Sequence, residues 1–409
     1  MNGPGRLSLI LCGCLLLSGQ TITTYVGDAG PDSALIAWGT TSGSGNTIGR
    51  DSRSHGKAVV TIGGKQHSTS KNWIRVNGLA PDRDYAYQLT IDGNAAGEGE
   101  LRTWPMKAER LSFFVIGDYG SGKKEQFEVA EAMRRQLQRQ YRTDNPARFV
   151  LTTGDNIYGR GFSLFLWGTG NKDSDWESRF FTPYREILRR IPFFPSLGNH
   201  DGNESERSED LAVYLDNFFF PGGKPARYYK FSYGGLADFF ALDSTVNRMD
   251  GYPEPGYGPG SPQTAWLEEA LKASRARWKI VYFHHPPFTA GPQHEPSLEK
   301  LRHWVELFRR YGVQVVFNGH EHNLQIAEKT AVTGPVQYVL TGSGGKLREG
   351  DISKTVKSSG IAAWTAQRHF LAVEIRGDRM EIKALGPEPV RLVSAEGKPV
   401  EPILELRGK

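Results

Sequence analysis

The chain has 409 residues, of which 38% are hydrophobic and 23% are charged, and its formal net charge at pH 7 is +5. This composition is typical of a globular protein and excludes collagen-like, coiled-coil and largely disordered chains. The basic residues are spread along the chain without a block of five or six, which argues against a dedicated nucleic-acid partner.

Residues 1–20 are predicted to be a secretory signal peptide. Arg6 precedes an apolar run over residues 7–17, and small residues follow. That run is too short to span a bilayer, and no later segment is long enough, so we expect no membrane span. Both cysteines, Cys12 and Cys14, lie inside the run, and a metal site in the mature protein would therefore use only oxygen and nitrogen ligands. The expected location is extracellular or periplasmic; acylation of Cys14, as in a lipoprotein, is the alternative.

Residues 21–104 are predicted to form a small β-sandwich. Short strand patterns at residues 33–38, 58–62 and 85–91 are separated by glycine-rich turns, without a helical pattern between them. Closely spaced strands of this kind are typical of a sandwich.

From residue 110 to residue 385 the pattern changes to that of an α/β domain. Continuous apolar runs alternate with longer amphipathic segments, which indicates buried strands layered by helices. The runs cover residues 111–116, 149–152, 239–242, 280–283, 313–317 and 336–340. Residues 127, 130, 133, 137 and 141 predict the apolar face of one helix, and residues 298, 301, 305 and 308 that of another. For residues 386–409 we expect only a C-terminal tail.

Polar groups with metal-binding capacity follow the apolar runs. They are Gly117-Asp118-Tyr119-Gly120, Gly154-Asp155-Asn156-Ile157-Tyr158, Gly198-Asn199-His200-Asp201, Val281-Tyr282-Phe283-His284 and Gly319-His320-Glu321-His322. Each motif alone is more often an ordinary turn or loop. Because the ends of strands in an open α/β sheet meet at one crevice, the five motifs together predict a single site.

This ordered set of motifs resembles the signature of the metallophosphoesterases, also called calcineurin-like phosphoesterases, in its purple acid phosphatase form. The resemblance covers residues 110–385. It implies a four-layer αββα fold, in which a β-sandwich is flanked by helices. Residues 77–87 resemble a fibronectin type III module, and many members of the family carry such an all-β domain before the catalytic one.

The resemblance also implies two metal ions in one site. Asp118, Asp155, Tyr158 and His322 would hold the first metal, expected to be Fe(III). Asp155 would bridge to a second ion, Fe(II), Zn(II) or Mn(II), whose other ligands would be Asn199, His284 and His320. A phenolate suits ferric iron, and imidazole with amide or carboxylate suits a divalent ion.

Gly120 and Tyr158 separate this form of the family from its relatives. Related phosphodiesterases and protein phosphatases usually place a ligating histidine where Gly120 stands here. Glycine has no ligand atom, and Tyr158 would supply the missing donor.

Two further histidines are expected to be catalytic. His200 follows Asn199 at the position where the family places a histidine against the phosphate or the leaving group, and His294 lies where a second such histidine is found. We expect His285 to have a supporting role, and residues 159–176 to form the rim of the pocket.

The predicted function is that of a secreted acid phosphatase, which hydrolyses small phosphate monoesters by attack of a metal-bound hydroxide. A phosphodiesterase or nucleotide-directed hydrolase on the same scaffold is the alternative. A non-catalytic binding protein is a third hypothesis, but it would tolerate loss of the ligand residues, and all seven are present. The natural substrate and the oligomeric state stay open, as does the use of the glycosylation sequon at residues 203–205.

Overall fold

The structure is a computed structural model that describes residues 22–40, 49, 53–159, 162–163, 166–167, 173–203, 211–245, 256–348, 350 and 352–408. The predicted signal peptide lies outside these residues, as do residues 204 and 205 of the sequon and much of the predicted rim, residues 159–176. No helix among the described residues is long and apolar enough to cross a membrane.

The N-terminal unit consists of two antiparallel sheets. Its strands are β1 (Thr23–Ala29), β2 (Ser33–Gly39), β3 (Arg53–Ile62), β4 (Lys65–Lys71), β5 (Trp73–Asn77), β6 (Asp84–Ile91) and β7 (Asn94–Arg102). One sheet has the order β1-β2-β5 and the other the order β4-β3-β6-β7. Side chains from both sheets, among them Val26, Ile36, Trp38, Val60 and Leu89, form a shared core. The predicted all-β unit ahead of the α/β region is confirmed.

The second unit is built on two mixed sheets. The six-stranded sheet has the order β12-β9-β8-β20-β21-β24. Its strands are β8 (Arg110–Ile116), β9 (Ala147–Thr152), β12 (Phe193–Pro195), β20 (Phe370–Arg376), β21 (Arg379–Leu385) and β24 (Ile403–Arg407). Strands β8, β9 and β12 are parallel, and β20, β21 and β24 are added in antiparallel fashion.

The nine-stranded sheet has the order β13-β14-β15-β16-β18-β17-β19-β22-β23. Its strands are β13 (Tyr229–Tyr233), β14 (Ala237–Ala241), β15 (Trp278–Tyr282), β16 (Val315–Asn318), β17 (Leu324–Ala327), β18 (Gln337–Thr341), β19 (Ile361–Thr365), β22 (Leu392–Ser394) and β23 (Pro399–Val400). Strands β14, β15, β16 and β18 form its parallel centre. A short hairpin of β10 (Phe162–Ser163) and β11 (Leu166–Trp167) stands apart from both sheets.

Helices cover the outer faces of the two sheets. They are α1 (Lys124–Gln140), α2 (Asp173–Trp176), α3 (Thr182–Leu188), α4 (Ala212–Asn217), α5 (Pro262–Ala273), α6 (Leu298–Arg310) and α7 (Ser353–Val356), with single π-helical turns at Glu177–Phe181 and Asn199–Asn203.

Alternation along the strands explains the layers. Successive strand residues point to opposite faces, so Phe239 faces the six-stranded sheet, where its ring lies 5.3 Å from that of Phe113, while Phe240 belongs to a separate core. That second core also contains Leu271 of α5 and Trp304 of α6. The predicted four-layer αββα fold is confirmed.

Two details of the sequence prediction differ from the structure. Phe127 was expected on the buried face of α1, yet it is 39% exposed, and Val129 takes its place in the core beside Ala130, Met133 and Leu137. The expected C-terminal tail, residues 386–409, instead carries β22, β23 and β24, which extend both sheets. These three strands are too short to show a clear alternation of apolar and polar residues, and they form by hydrogen bonding to the edges of the two larger sheets.

Candidate metal centre

The predicted ligands lie in loops that leave both sheets at the same end of the sandwich. Asp118 follows β8, Asp155 follows β9 and Asn199 follows β12, all from the six-stranded sheet. The nine-stranded sheet contributes His284 after β15, and His320 and His322 after β16. Since these strands are parallel within each sheet, their carboxyl ends share one edge, and the loops converge there.

Three of these residues have a backbone conformation that non-glycine residues rarely adopt. The φ angles of Asp118, Asp155 and His320 are 54°, 50° and 74°. Such strain is of order 1–3 kcal/mol per residue and is concentrated at functional sites. Here backbone hydrogen bonds between the loops hold the conformation, including the one from the Asp118 N–H to the Gly154 carbonyl at 3.1 Å.

One group of potential ligand atoms surrounds the hydroxyl of Tyr158. This hydroxyl lies 3.1 Å from Asp118 Oδ1 and 3.2 Å from His322 Nε2. Ligand atoms of Asp118, Asp155 and His322 all lie within 4.8 Å of one another, and all three residues are buried. The structure therefore brings together the four residues predicted for the first metal.

A second group surrounds the side-chain oxygen of Asn199. This oxygen lies 2.9 Å from His284 Nε2 and 3.1 Å from His320 Nδ1. The Nδ1 of His284 is 2.8 Å from the Thr153 carbonyl, which can only accept a hydrogen bond. Nδ1 therefore donates a hydrogen bond to that carbonyl, and Nε2 faces the Asn199 oxygen.

Asp155 connects the two groups. Its Oδ1 lies 3.5 Å from His284 Nε2 and accepts the His200 N–H at 2.9 Å. Burial opposes its ionisation, but the neighbouring His284 and His200 hold the pKa of this carboxyl below its usual range. Burial raises the pKa of Asp118 instead, and the nearby Asp155 carboxylate raises it further.

Two imidazoles of the site, those of His320 and His322, are held in their neutral, ligating form. Burial lowers the pKa of His322 to about 3, and the positive charge of Arg348 contributes. The pKa of His320 is also lowered, by burial first and then by the imidazoles around it. Metal ligation requires deprotonated ligands, so this environment suits a cation.

The donor set fits two metal ions. In the second group, His284 Nε2, His320 Nδ1 and the Asn199 oxygen lie 2.9–3.1 Å from one another, so that two imidazole nitrogens and an amide oxygen converge on one point. In the first group, a buried phenol and two carboxylates face an imidazole. A cation in each group would satisfy these acceptors, and the oxygen and nitrogen ligand types match hard and borderline metals.

Both histidines predicted to be catalytic lie beside these groups. The ring of His200 is 4.6 Å from the Tyr158 ring, between centroids. The ring of His294 stacks on His320 at 3.9 Å, and its backbone N–H donates to Glu321 Oε2 at 2.8 Å.

His285 lies closer to the site than the sequence indicated. Ligand atoms of His284, His285 and His320 lie within 4.8 Å of one another, and burial lowers the pKa of His285 to about 3. Its Nδ1 is 3.0 Å from the Ser244 hydroxyl, which orients the ring.

Asp201 has a structural role here. Its carboxylate is buried and accepts hydrogen bonds from the backbone N–H groups of Gly198, Asn156 and Ile157 at 2.8–3.1 Å, and from the Asn156 amide at 2.8 Å. It therefore ties the Asp155 loop to the Asn199 loop.

Sequence reasoning missed a charged segment after β18. Lys346 places its Nζ 3.7 Å from the centroid of the Tyr158 ring, and Arg348 pairs at 2.9 Å with the fully buried Glu321. The only hint in the sequence was that both cations directly follow the glycine-rich turn at residues 342–345.

Comparison with known proteins agrees with this architecture. The model of the calcineurin-like phosphoesterase family matches residues 111–324. The chain is 29% identical over 279 residues to purple acid phosphatase 17 of Arabidopsis thaliana, which covers 62% of this chain and 75% of that protein. It is 26% identical over 256 residues to tartrate-resistant acid phosphatase type 5 of Mus musculus, covering 57% of this chain and 72% of that protein.

Among solved structures, a purple acid phosphatase from yellow lupin (Lupinus luteus) seeds has a TM-score of 0.68 at 13% identity. The match covers 95% of this chain and 74% of that chain. At this identity the likeness concerns the fold.

Proposed function

This chain belongs to the calcineurin-like phosphoesterase family, and from that premise we propose that it is a dinuclear metal-dependent acid phosphatase acting on small phosphate monoesters. The observation that carries the proposal is the convergence of seven ligand-type side chains from five loops into two adjacent groups. Tyr158 lies in one of them, and its N–H donates to the carbonyl of Gly120, a residue without a ligand side chain.

The first metal would be held by Asp118, Asp155, Tyr158 and His322, and the second by Asp155, Asn199, His284 and His320. The pair would neutralise charge on the phosphoryl oxygens and activate water as the nucleophile. Burial raises the pKa of the Tyr158 phenol, and the Asp118 and Asp155 carboxylates raise it further, so only a strongly charged cation would favour the phenolate. This supports Fe(III) at the first position and Fe(II), Zn(II) or Mn(II) at the second.

His200 would donate a proton to the departing oxygen. Its backbone is tied to the proposed bridging carboxylate and its ring lies against Tyr158. An alkoxide is a poor leaving group, and protonation by a positioned imidazole speeds its departure. His294, stacked on His320, would orient the substrate or share this task.

The N-terminal sandwich, residues 21–104, would support the catalytic unit, residues 110–385, rather than take part in the chemistry. Within the described part of the chain, none of its side chains belongs to either donor group. The two units are joined by buried contacts, such as those of Trp104 with Phe149 and Phe194. Secretion to the exterior or periplasm is part of the proposal. It predicts that mass spectrometry of the exported protein finds an N-terminus near residue 21.

The proposal is tested on purified full-length protein by metal analysis, a visible spectrum and assays with p-nitrophenyl phosphate and bis(p-nitrophenyl) phosphate. We expect about two metals per chain, at least one of them iron, a broad visible absorption band, and higher kcat/KM for the monoester at acid pH. Full activity of metal-free protein would contradict the metal-dependent mechanism, and preference for the diester would favour the alternative hydrolase.

A pair of tyrosine variants sharpens this test. Tyr158→Phe should abolish the visible band, because the band requires a phenolate ligand. Tyr338→Phe removes an equally buried hydroxyl outside the donor groups and should leave the band unchanged. An intact band in Tyr158→Phe with full iron content would show that Tyr158 is not a ligand.

A further inference from the structure

The segment that follows β18 is anchored to the candidate metal centre by its backbone. The Lys346 N–H donates to the Asp118 carbonyl at 3.0 Å, and the Arg348 N–H donates to the His322 carbonyl at 3.2 Å. Both acceptors belong to residues of the first donor group. The backbone of Lys346 and Arg348 is therefore fixed relative to that group.

The two cations differ in how their charge is balanced. Arg348 is paired with Glu321, whose carboxylate is fully buried and also accepts the His294 N–H. Lys346 is half-buried and has no carboxylate within 4 Å among the described residues. Its ammonium lies over the face of the Tyr158 ring, 3.7 Å from the centroid. Among the described residues, the charge of Lys346 is thus balanced only by the more distant Asp155 and Asp118 carboxylates of the site and by no direct ion pair.

Lys346 and the proposed proton donor, His200, contact the same side chain. Both the Lys346 ammonium and the ring of His200 contact the ring of Tyr158, whose hydroxyl points into the first donor group. A phosphoryl group bound there would lie within the field of both side chains. An ammonium has three N–H donors and binds phosphate as a compact positive charge.

We infer that Lys346 binds a phosphoryl oxygen of the substrate and thereby selects doubly charged phosphate monoesters over singly charged diesters. The inference rests on the proposed function, since it assigns the substrate class of the same site. A monoester dianion carries twice the charge of a diester, so one additional cation in the site strengthens its binding more.

The test is Lys346→Met, which removes the charge and keeps the length of the side chain. We expect kcat/KM for p-nitrophenyl phosphate to fall ~10–100-fold, as for loss of a hydrogen bond to a charged group. The value for bis(p-nitrophenyl) phosphate should fall much less, so that the ratio of the two decreases about 10-fold. The Kd of inorganic phosphate, measured by calorimetry on the metal-loaded protein, should rise by a factor similar to that for the monoester.

Three variants serve as comparisons. Lys346→Arg keeps the charge and should retain most of the monoester preference. Leu347→Ala alters an exposed neighbour in the same segment, and Lys65→Met removes an exposed charge from the N-terminal sandwich. Both should leave the ratio and the phosphate Kd unchanged.

An unchanged ratio and an unchanged phosphate Kd in Lys346→Met would overturn the inference. So would an equal loss for both esters, because that outcome assigns Lys346 to packing on Tyr158. If the wild-type protein hydrolyses neither ester, the proposed function fails, and the phosphate Kd of the variants still decides whether Lys346 binds phosphate. Should Lys346→Met fail to fold, Lys346→Gln removes the same charge and takes its place.

Discussion

Gly120 is the position where the smallest change should disturb the site most. A Cβ added to this residue would lie 1.8 Å from the Asn156 carbonyl oxygen and 2.6 Å from Ile157 Cα. Both are backbone atoms, so no side-chain rotation can relieve the contact. A histidine side chain here could not be accommodated, and the Tyr158 hydroxyl reaches Asp118 from the neighbouring loop.

The size of the effect of Gly120→Ala follows from the distance between the added Cβ and the Asn156 oxygen. The Asn156 oxygen must move by about 1.2 Å to reach even 3.0 Å, a separation that real Cβ atoms seldom go below. The loop that must move contains Asp155 and Tyr158, and the Tyr158 N–H is bonded to the Gly120 carbonyl at 2.9 Å. Overpacking of this kind costs about 1–3 kcal/mol. A displacement near 1 Å in a catalytic group can reduce kcat/KM about 100-fold.

The assay compares Gly120→Ala with Gly258→Ala, whose added methyl meets no atom within 4 Å. We expect Gly120→Ala to lower the melting temperature, to bind fewer than two metals per chain and to lose most of its activity. Gly258→Ala should resemble the wild type. A Gly120→Ala protein with wild-type melting temperature, metal content and activity would refute the reasoning, because the close approach of the two loops could not then be real.

The other predictions concern catalysis, metal binding, pH and the contact between the two units. His200→Ala should slow alkyl phosphates ~10²–10⁴-fold and p-nitrophenyl phosphate far less, at unchanged metal content; equal losses would exclude it as the acid. His322→Ala should lose the first metal in elemental analysis, and retention of iron would contradict its assignment. Burial lowers the pKa of His369 to about 4, so the unfolded chain binds a proton that the folded one does not, and stability present above pH 6.5 is lost as pH falls toward 4. The free energy of unfolding should change by about 3 kcal/mol across this pH window because of His369. Urea unfolding of His369→Gln should therefore show a weaker pH dependence than the wild type, and an equal pH dependence in the two proteins would contradict the lowered pKa. Arg148→Ala should destabilise the protein by about 1–3 kcal/mol in urea unfolding, because it removes a buried guanidinium bonded to Asp82 at 2.8 Å and to the Thr103 carbonyl; an unchanged midpoint would show that this contact does not stabilise the junction.

The layered fold could be predicted because its determinants are local. Apolar runs of strand length alternate with helical periods, and each run ends in a polar loop, which places Asp118, Asp155 and His284 at strand ends. The order of the motifs then indicated one site. The helical period misplaced Phe127, because a periodic pattern defines a stripe without showing where the neighbouring sheet ends. The sequence pattern also left the last three strands unassigned, since short edge strands form only when a larger sheet offers hydrogen-bonding partners.

In the charged segment after β18, the sequence does not show which cation is paired. Lys346 and Arg348 are two residues apart in the sequence and look equivalent. Their difference arises because Glu321, more than twenty residues away, is buried against Arg348 and not against Lys346. A pairing between distant residues depends on which loops meet, and composition alone does not reveal that.

The sequence by itself determined the types of the candidate metal ligands, their order and their position at strand ends, because these depend on local pattern and ligand chemistry. Only the tertiary structure decided that the two predicted groups meet at one end of the sandwich, that His285 lies beside the second group and that Arg348, rather than Lys346, pairs with Glu321. It also showed why residue 120 must be glycine. Each of these depends on distances of 2–4 Å between atoms from different strands, and such distances exist only once both sheets have packed face to face.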